Sequence, residues 1–217
     1  MSLTLRAFGR YAVIVVASWI AFYVFCGILA RQLAVREATK GRDLLLAMER
    51  VSGGKSSAND LIRLATRYDG HIEGVGCTDE QCEVRFQRDN CWLNRLRLAP
   101  LTTLDASVTL SHRQTTRVFA GMFVVPGRNS SGDVAALAIT DFIPDGLEPL
   151  TIIFRGAMIE RKAFCQINSG ANASQRQMAF AYNVSCLYRL GGCRDSTQLV
   201  PEWWNQWQRR PVLLPDE

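Results

Sequence analysis

Residues Tyr11–Ala30, YAVIVVASWIAFYVFCGILA, form an uncharged run of twenty residues, with Arg6 and Arg10 before it and Arg31 and Arg36 after it. As an α-helix rising 1.5 Å per residue, such a run covers about 30 Å, the thickness of a bilayer's hydrocarbon core. It reads as a membrane span. The apolar region of a cleaved signal peptide is shorter, about 7–15 residues, and ends at a small-residue site that Ile28-Leu29-Ala30 matches poorly. Cys26 follows Tyr23-Val24-Phe25, where a lipid-attachment signal would place small residues, so it reads as an apolar residue of the span. A buried core helix would show a polar face, and this run has none.

Working outward, residues 1–10 are a cytoplasmic tail, 11–30 the transmembrane helix, 31–51 a juxtamembrane helix, and 52–217 an extracytoplasmic α+β domain. The side of the membrane rests on two opposed signals. Arg31, Arg36, Lys40 and Arg42 outnumber Arg6 and Arg10, which by the positive-inside rule would put the domain in the cytoplasm. Against this, the chain beyond the span carries six cysteines, Cys77, Cys82, Cys91, Cys165, Cys186 and Cys193, and no C-x-x-C pair. An even set without zinc or redox spacing is the pattern of a compartment in which disulfides persist. The reading adopted is a single-pass membrane protein whose bulk lies outside the cytoplasm, in a periplasmic or extracellular space.

The formal charge of +5 is mild, and 25 basic residues are spread along the chain. A nucleic-acid binder concentrates that charge with interleaved aromatics, so nucleic acid is excluded as a partner. The partners expected are the lipid bilayer through residues 11–30 and a protein or envelope component. Ala34, Ala38, Gly41, Leu45 and Met48 repeat at spacings of three and four, the pattern of a stalk helix that rests on its own domain or pairs with a second copy as a homodimer.

Gly53-Gly54-Lys55-Ser56 contains the end of a phosphate-loop motif, but the motif's first glycine would fall at Glu49 and a strand would have to precede it, so the stretch reads as a helix stop. Ser57 followed by Asp60 signals a capped helix over residues 58–68, with Leu61, Leu64, Ala65 and Tyr68 on one face. The period then changes to two. Residues 71–77 and 81–87 form a hairpin that brings Cys77 opposite Cys82, and Asn90 to Leu96 form a turn or one-turn helix.

Leu104, Ala106, Val108 and Leu110 alternate with Asp105, Ser107, Thr109 and Ser111, the cleanest strand signal in the chain. Further strands are expected at 116–125, 133–142, 150–155, 161–168 and 177–184. Short connections favour antiparallel neighbours, so the fold class is α+β: a mainly antiparallel sheet of about six to eight strands flanked by short helices. Ser185 begins a short helix stopped by Gly191-Gly192 and stapled by Cys186 and Cys193. Cys91 and Cys165 remain to join distant parts of the sheet, one of the fifteen connectivities six cysteines allow. Trp203, Trp204 and Trp207 suit a terminal helix laid on the sheet.

The helix-then-hairpin opening, SSANDLIRLATRYDG, resembles the small lipoproteins that help assemble bacterial outer-membrane barrels. That local order is all the likeness consists of, there is no lipobox, and no activity is carried over from it.

Chemistry has little local signature. His71 and His112 are the two histidines, at a strand start and a turn, and no H-E-x-x-H, G-x-S-x-G or glycine-rich nucleotide pattern occurs. Asp141 and Asp145 bracket a turn that accounts for both. Three Asn-x-Ser triplets, at Asn129, Asn172 and Asn183, match the glycosylation acceptor pattern. No catalytic residue, cofactor or metal ligand is assigned. The functional expectation is a non-enzymatic binding or envelope-associated structural domain, with an envelope hydrolase built from dispersed residues as the alternative.

Overall fold

The computed structural model describes residues 2–52, 56–74, 76–125, 136–143, 148–155 and 161–209. Helix α1 (Ser2–Val51) runs unbroken for 50 residues and is long and apolar enough to cross a membrane. Its large apolar side chains from Tyr11 to Leu29 are 48–71% exposed. One stripe is different. Ala30, Ala34, Ala38, Gly41, Leu45 and Met48 are buried against the rest of the chain, so the small-residue face rests on its own domain. The smallness has a use: a Cβ added at Gly41 would lie 3.0 Å from Leu104 Cδ2. A mid-helix glycine costs about 1 kcal/mol relative to alanine, and here it permits close approach of helix and sheet.

Helix α2 (Ala58–Arg67) has the expected capping box: the Asp60 amide donates to Ser57 Oγ at 3.3 Å, and Ser57 N donates to Asp60 Oδ2 at 3.1 Å. The Ser57 hydrogen bonds hold the Asp60 carboxyl below its ordinary value. Then come β1 (His71–Glu73), β2 (Gln81–Asp89), α3 (Cys91–Arg95), β3 (Leu101–Ser111), β4 (Gln114–Val125), β5 (Ala136–Phe142), β6 (Leu150–Arg155) and β7 (Arg161–Ile167). They form a seven-stranded sheet in the order β1-β2-β3-β4-β5-β7-β6. Strands β1 to β5 form an antiparallel meander, matching their short connections.

The sheet is mixed, where a mainly antiparallel one was expected. Strand β7 inserts between β5 and β6, parallel to β5 and antiparallel to β6. The chain therefore leaves β5, skips a strand width and returns to fill it. The first three residues of the strand expected at 133–142 lie outside the described residues.

Two disulfides are present, Cys77–Cys82 and Cys186–Cys193, each at the short spacing read from the sequence. The third expected pair is corrected: Cys91 and Cys165 are free thiols. Cys91 follows β2 and Cys165 lies on β7, four strand positions away. At about 4.8 Å per strand that is near 19 Å, far beyond the reach of a disulfide. Cys165 is buried between Thr140 and Ile152 of its neighbour strands, and desolvation pushes its thiol strongly up, leaving it inert.

A second correction concerns residues 177–184. A strand was expected there, but helix α4 (Ala173–Ala179) occupies its first part. Asn172 and Gln175 cap one another's backbone amides at 2.9 and 2.8 Å, and this capped start sets the helix. A 3₁₀ turn (Val184–Leu187), α5 (Ser196–Leu199) and α6 (Pro201–Arg209) follow. Trp203 is fully buried, its indole N–H donating to the Met178 carbonyl at 2.7 Å. Trp204 and Trp207 stack on each other and against Phe154 of β6, which seats α6 on the sheet's edge.

All these helices cover one face of the sheet. Val84, Leu104, Val108, Leu110, Val118 and Met122 point into that layer with no measurable exposure. Arg88 also enters it, 8% exposed, and reaches Glu37 of α1 at 3.1 Å, the Tyr68 carbonyl and Asp69. One guanidinium thus fastens α1, the end of α2 and β2 together. Lys40 and Arg88 hold the exposed Asp69 carboxyl below its ordinary value.

Candidate functional site: the open face of the sheet

The other face of the sheet has no described helix upon it. Strand alternation sends Glu83, Arg85, Gln87 and Asp89 of β2, and Thr103, Asp105, Ser107 and Thr109 of β3, to this side. Across β4, β5, β7 and β6 the side changes character. Register aligns Arg85, Ser107, Phe119 and Asp141 in one row, and Gln87, Asp105, Gly121, Ile139, Phe164 and Ile153 in the next. Phe123 and Leu137 continue the apolar part. Phe119, Phe123, Leu137, Ile139, Ile153 and Phe164 are all partly exposed.

Gly121 explains the flatness of this apolar half. A Cβ there would lie 2.8 Å from the Phe123 ring and 3.1 Å from the Phe119 ring. The two rings fold over the glycine and close the gap that its missing side chain leaves in β4. A bulge at the other end of the strand shifts the register, so that Thr109 faces Arg117 while Leu110 faces Thr115.

The polar half holds a concavity of about 990 Å³ lined by Glu73, Arg85, Asp105, Arg117 and Phe119. Its charges are paired. Arg85 Nε lies 3.1 Å from both Glu73 and Glu83, and Arg117 forks onto Asp141 at 3.1 and 3.3 Å. Asp105 differs: burial, reinforced by the nearby Asp89 charge, raises its carboxyl above the ordinary value. Among the described residues no cluster of three His, Cys, Asp or Glu side chains could hold a metal ion. A shallow, charge-neutralised trough beside an apolar plateau can bind a surface.

His71 lines the trough at the start of β1, while His112 sits in the β3–β4 turn with a φ of 49°. Asp141 is the Arg117 partner; Asp145, Asn129 and the Gly53-Gly54-Lys55 stretch lie outside the described residues. Asn172 caps α4 and Asn183 bonds Ser185 and Gln198, which are structural duties. Asp79, unremarked in the sequence, is a joint: it accepts from the Ala58 amide at 2.9 Å and from Arg113 Nε at 3.0 Å, tying α2 to the β3–β4 turn.

The plateau residues were not singled out in the sequence, yet a signal for them is there. Alternation is clean in β3 and fails in Val118-Phe119-Ala120 and Ala136-Leu137-Ala138-Ile139, where both parities are apolar. Such a run marks a strand with two apolar faces. No family model, no curated protein and no solved structure matches this chain.

Proposed function

We propose that this chain is a single-pass, membrane-anchored binding protein whose domain lies outside the cytoplasm and uses the open face of its sheet to dock a protein or envelope partner. The observation that carries the reading is the apolar plateau, contiguous over four strands, left without a described helix and bordered by paired charges. Contiguous apolar surface that is partly open to solvent and rimmed by polar groups fits an interaction site better than isolated exposed apolar residues do. The exposed apolar length of α1 supports the anchor, and the two disulfides support a compartment that maintains them.

Two experiments test it. A photo-crosslinking residue placed at Ile139 or Phe164 in cells gives a defined adduct, and the same residue at Leu46 on the exposed side of α1 does not; equal yields from all three positions, or none, overturn the docking face. Protease added to cells with a permeabilised outer barrier digests the domain and spares residues 11–30. A domain protected until the inner membrane is lysed overturns the topology.

A further inference from the structure

The packed stripe on α1 starts well inside the apolar run. The Tyr23 hydroxyl donates to the Leu96 carbonyl at 2.8 Å, a Cβ at Gly27 would lie 3.5 Å from Leu98, and Ala30 and Ala34 pack with Leu93 and Ala99. The segment between α3 and β3 therefore lies beside the last two turns of the uncharged stretch. The loop closed by Cys186–Cys193 joins it: Tyr188 packs on the same cluster, and Gly191 N donates to the Leu98 carbonyl at 2.8 Å. Together they make one rigid foot.

Tyr23 precedes Ala30 by seven residues, about 10 Å of helix. A domain standing clear of a bilayer spanned by residues 11–30 could not touch α1 at Tyr23. The foot's surface matches that depth. Among the described residues outside α1, the exposed large hydrophobics are Ile62, Trp92 and Leu190, and the last two are on the foot. Residues 90–100 and 184–194 contain Arg95, Arg97, Arg189 and Arg194 and no acidic residue. All four arginines are exposed, and the Arg95 guanidinium lies 4.9 Å from the Trp92 ring centroid. Charges scattered in sequence are gathered here by the fold.

We infer that this foot is seated in the headgroup layer, with Trp92 and Leu190 at the acyl boundary and the arginines bound to the phosphates of anionic phospholipids. Tryptophan favours that zone, amphipathic elements sink about 5–10 Å into it, and basic side chains at the surface are attracted to anionic lipid. The inference rests on the reading of α1 as a membrane span, and the test separates the two.

The full chain is reconstituted in phosphatidylcholine vesicles containing phosphatidylglycerol, with bromine near the headgroup end of the acyl chains of one lipid or the other. Emission from Trp19→Phe minus that from the Trp19→Phe, Trp92→Phe double variant isolates Trp92; Trp92→Phe minus the same double variant isolates Trp19. Shallow bromines quench Trp92 to about half, and brominated phosphatidylglycerol is about twofold more effective per mole than brominated phosphatidylcholine. Replacing Arg95, Arg97, Arg189 and Arg194 by Gln removes that lipid preference and leaves the circular dichroism spectrum unchanged. Quenching of Trp19 without Trp92 overturns the foot and leaves the anchor standing. Trp19, near the midplane of a span over residues 11–30, is read with bromines at the far ends of the acyl chains; absence of quenching there overturns both, and equal effectiveness of the two lipids overturns the anionic preference.

Discussion

The two faces of the sheet are made by the same strands and have different fates. On β4, Val118, Ala120, Met122 and Val124 are sealed beneath helices, while Phe119 and Phe123, one residue out of phase, remain partly exposed. Hydrophobicity alone does not separate them. What separates them is cover: α1, α2, α4, α5 and α6 all approach from one side. A change on the covered face acts on folding, and, on the proposed docking role, a change on the open face acts on recognition.

The largest expected effect breaks the covered side. Trp203→Ala removes a fully buried indole and its bond to Met178, and lowers unfolding free energy by about 4 kcal/mol in urea denaturation of the detergent-solubilised chain. A loss below about 1 kcal/mol would mean that α6 is not part of the sealed layer. Gly41→Leu drives a side chain into Leu104 where α1 meets β3, and costs about 3 kcal/mol by the same assay. Glu37→Ala takes the best carboxylate partner from the buried Arg88 and costs about 2 kcal/mol, with Asp69 still in place.

On the open side, Phe164→Ser costs about 1–2 kcal/mol, less than the covered-face changes, because its ring is partly exposed. The same change abolishes crosslinking from Ile139. Should Phe164→Ser instead destabilise as much as Gly41→Leu, the plateau is covered within the folded chain and the contrast between the faces disappears. The smallest effect is at Asp105. Its folded-state value is raised, so the protonated form is favoured on folding; that contribution is present in acid and is lost as pH rises through the raised value. Asp105→Asn therefore melts above the parent near neutral pH, and the two melting temperatures converge below the ordinary carboxylate range.

How much of this was legible in the residues depends on distance along the chain. The Ser57–Asp60 capping box, the alternation of β3 and the pairs Cys77–Cys82 and Cys186–Cys193 are short-range, and they were readable. The insertion of β7 between β5 and β6 is a long-range choice that no local pattern encodes, and the fate of Cys91 and Cys165 follows from it. In residues 177–184 a strand was expected, and the capping pair Asn172–Gln175, which lies outside that window, decided the outcome. The plateau was visible as a loss of alternation in β4 and β5. The arginines of the foot were not, because the segments that carry them, joined where Gly191 bonds Leu98, meet only after folding.

The unbroken course of α1 also has a mechanical meaning. No proline interrupts Ser2–Val51, and its second half is clamped along the domain, so there is no hinge at which the head could swivel on its stem. From Ala30 to Val51 about 30 Å of helix is held against the domain, and this fixes the angle between head and rod. If residues 11–30 span a bilayer as proposed, a sideways pull on the head leans the whole rod, where a flexible tether would merely pay out slack.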